Sequence, residues 1–268
     1  MRDRRGAVTR SVQADGTTQR WGIAVETPVE IGLNGVPWTV MMATPVDLED
    51  LAVGLALTER VVARDSIRAV SVRQFLEGIA VDLTVPPDAI APQMQRRRSL
   101  EGRVGCGLCG VEALASLPPL PNHSTPPRAT VDARAVRAAF DALAARQPLN
   151  SETHSVHAAA WCRMDGTIDL VREDVGRHNA LDKVVGALAR AARLDDDGFV
   201  VMTSRCSFEL VYKAATTRAA ALATISAPTS LALDWSNALG VPVLSRAADG
   251  AIVAFPYEPP SYEPPNAA

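Results

Sequence analysis

Aromatic side chains are scarce: Trp, Tyr and Phe together make up 4% of the 268 residues. Ala and Val must therefore do much of the core filling, within an apolar fraction of 47% that is ample for a core. A charge imbalance is also missing. The chain carries 27 basic and 30 acidic side chains, a formal charge of −3, so nothing draws it globally toward nucleic acid. It has no run of about 18 apolar residues, which excludes a conventional membrane-spanning helix. The first twenty residues, MRDRRGAVTRSVQADGTTQR, have no apolar stretch of the kind a secretory leader carries. A cytoplasmic protein is the expectation, and there the thiol pool keeps cysteines reduced. There are four cysteines. Cys162 and Cys206 stand in apolar or segment-edge contexts and read as small buried hydrophobes.

The other two cysteines are the most informative feature present. Cys106 and Cys109 lie in GRVGCGLCG. Glycines 105, 107 and 110 argue against a packed helix through the pair and allow another molecule to approach closely. The pair reads as an accessible dithiol loop. Half of a zinc site, or a structural turn, is the bland alternative for an isolated CxxC. Arg96, Arg97, Arg98 and Arg103 lie just upstream, where cations favour the thiolate unless they are merely a solvated basic loop.

Periodicity predicts an α/β chain. Asn34-Gly35 marks a two-residue hairpin turn. Thr44, Pro45 and Asp47 read as a helix start, with Thr44 as the cap and the helix reaching about Arg60. SIRAVSVRQFLEGIAVDLTV reads as two strands, and Val111 to Leu117 as a short helix. Val136, Phe140 and Leu143 mark one helix face. His157 to Val171 reads as a hairpin split at Asp165-Gly166. Leu181, Val184, Val185 and Leu188 form a helical stripe. GFVVMTS is a buried strand, Phe208 to Ala221 a helix, and Ala223 to Ser226 a short strand. Pro228 opens a helix ending at Leu239 before Gly240, and VPVLS and AIVAF finish as strands. The expected organisation is a disordered N-terminus over 1–20 and an N-terminal α+β subdomain with the CxxC loop over 21–117. A proline-rich linker over 118–130 then leads to an α/β domain over 131–255 and a disordered YEPP-repeat tail over 256–268.

Arg172-Glu-Asp-Val-Gly-Arg-His-Asn179 is the densest polar stretch, set between a predicted strand and a predicted helix. Free backbone N–H groups and the positive helix end there favour an anionic or nucleotide-like group. Arg177 and His178 supply cationic reach, and Glu173 and Asp174 could orient them or accept from a base or ribose. A solvated loop capped at Asn179 is the alternative. Thr203-Ser-Arg-Cys-Ser207 repeats the pattern with Arg205. Two such turns on neighbouring strands would line one crevice at the strand carboxyl ends. Ordinary capping by Ser207, with Glu209 in the first turn, is the bland reading. Ser226-Ala-Pro-Thr-Ser230 is a third such turn. His154 and His157 could join Cys106 and Cys109 in a zinc set on paper. The deaminase pattern, however, needs a Glu two residues after its histidine, and Ala159 stands there. A histidine entering an apolar strand is more often a hydrogen-bonded core residue.

Taken in order, these pieces resemble the FdhD family, the formate dehydrogenase accessory sulfurtransferases, over roughly Trp21 to Phe255. The match rests on Glu26-Thr-Pro28, Asn34-Gly35, Ala43-Thr-Pro45 with DLEDLAVGL, Gly105-Cys-Gly-Leu-Cys-Gly110, REDVGRHNALDKVVG, and SRCSFELVYKAA followed by SAPTSLAL. The resemblance implies a cytidine-deaminase-like layered α/β fold with a smaller N-terminal α+β subdomain, a homodimer, and no permanently bound metal. It also implies transfer of sulfur from a cysteine desulfurase to a molybdenum (or tungsten) bis-guanine-dinucleotide cofactor. That cofactor would be held as substrate on its way to formate dehydrogenase. Cys106 would carry the persulfide with Cys109 assisting, and Arg246, Ala247, Ala248, Asp249, Gly250 and Ala251 would contact the cofactor beside Arg177, His178 and Arg205. The chain departs from the family pattern at His154-Ser155, where two glycines are usual, at Ser204, and in RAADGA. A delivery protein that binds the cofactor without sulfur chemistry is the rival reading.

Overall fold

The computed structural model describes residues 6–91, 119–121 and 125–256. Among these, twelve strands and six α-helices fold as a mixed α/β structure with three sheets. Strands β3 (Thr27–Leu33) and β4 (Val36–Ala43) form the hairpin that Asn34-Gly35 predicts. Both turn residues have positive φ, 53° and 77°, the turn geometry whose twist suits antiparallel strands. β5 (Ala69–Gln74) and β6 (Ile79–Thr84) pair antiparallel, and β6 runs parallel to β3, so the order is β4-β3-β6-β5.

Helix α1 (Leu48–Thr58) lies inside the molecule, with every residue except Glu49 buried. A helix that is apolar nearly all round can sit only there. It does not start as the sequence predicts. Asp47, with φ 52°, holds the N-cap position without a side-chain bond. Thr44 turns away from the helix: its N–H donates to Asp174 Oδ2 (3.0 Å) and its Oγ1 accepts from Val175 N (3.1 Å). The residue that resembles a cap is instead a tie to the other sheet.

That second sheet has six strands: β7 (His157–Cys162), β8 (Ile168–Asp174), β9 (Gly198–Met202), β10 (Ala219–Thr224), β11 (Val243–Arg246) and β12 (Ile252–Ala254). Their order is β12-β11-β10-β9-β7-β8. β7 runs antiparallel to both β8 and β9, while β9, β10 and β11 are parallel. The carboxyl ends of β8, β9, β10 and β11 and the amino end of β7 therefore share one rim. Alternation along β9 divides the core. Phe199 and Val201 pack toward Val136, Phe140 and Leu143 of helix α2 (Ala133–Leu143). Val200 and Met202 point to the opposite face, covered by α4 (Arg177–Arg190), α5 (Phe208–Ala214) and α6 (Ser230–Leu239). A short helix, α3 (Pro148–Thr153), precedes β7.

α1 and α4 join the two sheets through a crossing that only glycine permits. A Cβ at Gly54 would overlap the Asp182 carbonyl, and one at Gly186 would overlap the Asp50 carbonyl. The hydrophobic core is consequently continuous from Ile31 and Leu83 of the first sheet to Val200 and Leu222 of the second.

Two expectations fail for physical reasons. Residues 7–20 are not disordered: β1 (Ala7–Ala14) and β2 (Thr17–Ala24) form an antiparallel ribbon closed by Asp15-Gly16, both at positive φ. Its composition is polar because most of β2 faces solvent, and polarity concealed the turn signal. The predicted helix from Phe208 to Ala221 stops at Ala214. Thr217 Oγ1 donates to Ala214 O at 2.8 Å and accepts from Ala219 N at 3.1 Å, and such local bonds end helices. The alanines beyond become β10, buried on both faces, so tertiary burial overrides the helix preference of Ala.

Candidate functional site

The polar stretch 172–179 ends β8 and opens α4, as its composition predicts, but its side chains divide into two groups. The first group serves the fold. Asp174 and Lys183 are fully buried and paired at 2.6 Å. Asp174 Oδ1 also accepts from Gly176 N and Asn179 Nδ2, and Lys183 Nζ donates to the carbonyls of Thr44 and Glu173. Asn179 is therefore not the N-cap; Gly176 is, and Asn179 Nδ2 reaches the Met42 carbonyl at 2.9 Å. The Glu173 carboxylate accepts from Leu149 N and Asn150 N and so holds the start of α3. Neither acid is left to meet a base or ribose. Arg172 binds Asp50.

The second group faces the rim. Arg177 and His178 are the first residues of α4. β8 and β9 are not neighbours, because β7 lies between them; His157, the first residue of β7, thus occupies the gap between the two turns. Burial holds the half-buried His157 imidazole below its ordinary range. A backbone hydrogen bond at Thr203 opposes that, and the nearby Arg177 and His178 reinforce it. His157 is therefore a neutral group beside the Arg177 guanidinium. From the start of α5, Glu209 approaches His178, with Oε2 2.8 Å from Nε2 and the two side chains 19% and 14% exposed. The distance is that of an ion pair, although the ring N–H does not line up as a hydrogen bond. His178 holds the Glu209 carboxyl below the usual carboxylate range, against burial, with Arg177 adding to the effect.

Polar atoms without a protein partner gather here. Arg177 Nε, His178 Nε2 and Ser207 Oγ are all buried without a hydrogen bond. Ser207 is the N-cap of α5 by position, yet its side chain makes no capping bond. The Arg205 side chain is exposed and has no partner among the described residues. The pattern matters because most buried polar atoms in a folded protein are satisfied. Arranged this way, the rim can take an anion between cationic and hydroxyl groups.

The segment Arg246 to Ala251 is a tight turn between β11 and β12 at the far end of the same rim. β10, β9 and β7 separate it from β8. Arg246 is already engaged: its Nη2 lies 2.8 Å from Asp141 Oδ1, and its guanidinium sits 5.8 Å from the Phe140 ring centre. Ala247 N donates to the Ala251 carbonyl, Asp249 Oδ1 accepts from Ala251 N, and Gly250 has φ 82°. Ala248 is exposed in that turn.

Cys106, Cys109 and the arginines at 96, 97, 98 and 103 lie outside the described residues, as does the predicted helix 111–117. Cys162 and Cys206 are buried, as the sequence predicts, and burial pushes both thiols up to about 12. His154 has its ring 6.2 Å from that of Trp21. No group of three metal-capable side chains occurs among the described residues, and none of the described helices is long and apolar enough to cross a membrane. A cleft of about 840 Å³ opens beneath β1, lined among others by Val8, Val46, Leu149 and Glu173; none of Arg177, His178 or Arg205 reaches it.

Sequence reasoning missed Glu209 as a site residue and read His157 as a core or metal-set histidine. Only the 31-residue separation between positions 178 and 209 being closed by the fold reveals the first, and only the strand order reveals the second.

A mixed α/β body of three sheets whose rim gathers unsatisfied donors defines a class that can take an anion there. Comparison with known proteins narrows it: residues 24–258 match the FdhD/NarQ family, and the chain belongs to that family. It is 46% identical over 261 residues to the sulfur carrier protein FdhD of Xanthomonas axonopodis pv. citri, covering 94% of this chain and 91% of that one. It is 48% identical over 215 residues to the sulfur carrier protein FdhD of Variovorax paradoxus, covering 78% and 76%. A crystal structure from Desulfotalea psychrophila, described as a formate dehydrogenase accessory protein, superposes with a TM-score of 0.64 at 22% identity, covering 93% of this chain and 95% of that one. At that identity it speaks to the fold alone.

Proposed function

We propose that the protein is a cytoplasmic sulfur carrier and sulfurtransferase. In this reading it takes sulfur from a cysteine desulfurase and passes it to a molybdenum bis-guanine-dinucleotide cofactor, held as substrate and destined for formate dehydrogenase. One observation carries the reading: of four thiols, the fold commits two to the core and raises them to about 12. A thiol so raised is protonated at physiological pH, and the thiolate is the nucleophile. The sulfur-carrying role therefore falls to Cys106 and Cys109. The family relatives named as sulfur carriers support the sulfur-carrying role itself. The six-stranded sheet with helices on both faces is read as the cytidine-deaminase-like layer, working as a homodimer.

The chemistry balances as follows. The Cys106 thiolate attacks the outer sulfur of the donor's persulfide. A Cys106-S-SH bond forms, the donor's S–S bond breaks, and the donor leaves as its thiol. The Cys109 thiolate then attacks the Cys106 sulfur. A Cys106–Cys109 disulfide forms, and sulfur leaves as hydrosulfide to the cofactor metal. The sulfane sulfur is thereby reduced and the two thiols oxidised, and a cellular dithiol reductant restores the pair. The guanine-nucleotide phosphates rest on the rim around Arg177, His178 and Arg205.

Mass spectrometry after incubation with a desulfurase and cysteine tests this. One added sulfur is expected on Cys106, and Cys106→Ala is expected to abolish formate dehydrogenase activation without loss of fold. If neither cysteine of the pair gains sulfur, the reading is wrong. Retained activation in a Cys106→Ala/Cys109→Ala double variant would leave a delivery protein in its place.

A further inference from the structure

Around the starts of α4 and α5 the rim has three acids within its reach, but two are committed elsewhere. Asp174 is saturated by Lys183, Thr44, Gly176 and Asn179, and Glu173 by the backbone of α3. Glu209 alone meets the imidazole of the rim, across two helix starts, at 2.8 Å from His178 Nε2. A carboxylate on one ring nitrogen of an imidazole fixes the ring and directs the other nitrogen outward; this is the logic by which carboxylates orient metal-binding and catalytic histidines. His178 Nδ1 has no partner among the described residues. Arg177 and Ser207 flank the pair with unsatisfied polar atoms of their own, and His157 closes the gap as a neutral neighbour.

We propose that Glu209 is a positioning residue for cargo recognition: it pins His178 as a hydrogen-bond donor aimed at a phosphate on the rim, between Arg177 and the Ser207 hydroxyl. The inference rests on the reading of the rim as the guanine-nucleotide cargo site and names the residue that makes the rim selective for phosphate over the nucleoside. An unpinned His178 would swing and lose charge-assisted contact, and contacts of that type are the strong ones.

The test compares GDP with guanosine as calorimetric probes on the full chain. Glu209→Gln keeps the shape and removes the charge. It is expected to weaken GDP by about tenfold, the scale of one charge-assisted contact, and to leave guanosine unchanged, so the ratio of the two affinities collapses. Glu209→Asp should restore part of that ratio, which a merely structural role would not do. His178→Ala should cost the same, and the double variant no more than either single one, because the two act as a unit. An unchanged GDP-to-guanosine ratio in Glu209→Gln, or additive losses in the double variant, overturns the inference; so does absence of GDP binding to the unsubstituted protein. Sulfur loading of the unsubstituted protein is followed in parallel. Failure there sinks the sulfur-carrier reading, whereas failure in the affinity ratio sinks only the dyad.

Discussion

The interface between the two sheets and the rim above it contain the same kinds of residue and treat them in opposite ways. In the interface, Lys183 meets Asp174, and Lys213 meets Asp182, Glu59 and Thr58. Arg172 and Arg190 share Asp50. Every one of these charges is answered. On the rim, a few residues away in sequence, Arg177 Nε and Ser207 Oγ are unanswered, and Arg205 stands open to solvent. Burying charge without exact compensation is costly. An unsatisfied cluster beside a saturated one is therefore the place where a ligand would find partners that the fold has not used. Polar density along the sequence cannot make that distinction, because Asp174 and His178 belong to the same short run.

The contrast can be broken at either end. The largest effect is expected at Lys183→Met, which leaves Asp174 charged and buried without its cation. Removing one partner of a buried pair costs about 3–5 kcal/mol, and urea denaturation should show a loss on that scale. A loss below about 1 kcal/mol would mean that backbone N–H donors alone satisfy Asp174. Gly54→Ala comes next. Its methyl would overlap the Asp182 carbonyl, so α1 and α4 must part, with a cost of about 1–3 kcal/mol, the scale of overpacking. Thermal unfolding measures it, and sulfur loading of the same variant shows whether the chemistry tolerates the shift. The smallest effect is expected at Arg205→Ala. Surface substitutions with no partner change stability by about 0.5 kcal/mol or less, while GDP should bind more weakly. If Arg205→Ala instead destabilises the fold and leaves GDP unaffected, the rim belongs with the interface after all.

Much of the fold was legible in the sequence because turn chemistry is local. Asn34-Gly35 and Asp165-Gly166 placed two hairpins, and the stripe Leu181, Val184, Val185, Leu188 placed the central helix. Asp15-Gly16 carries the same signal and was overlooked because the strands around it are polar, as a solvent-facing ribbon requires. Ala219 to Ala221 was misread for the opposite reason. Small apolar residues suit a helix by propensity, yet here they fill the middle of a sheet that has few aromatics with which to pack. The site was legible in part. The place of Arg177, His178 and Arg205 after strands and before helices was legible. Their division from Asp174 and Asn179 was not, nor was the reach of Glu209, because both depend on contacts between distant parts of the chain. Thr44 teaches the same lesson: it has the residue type and spacing of a helix cap, and it is spent on holding the end of β8.

The bare contact of α1 with α4 has a mechanical consequence. Where two helices meet backbone to backbone, no side chain lies between them to repack, so they cannot slip past one another by changing rotamers. α4 carries Arg177 and His178 at its first turn, and α1 packs on the four-stranded sheet. The helix start that bears Arg177 and His178 and the first sheet thus form one rigid chassis. Neither half of this body can slide against the other without breaking that backbone contact.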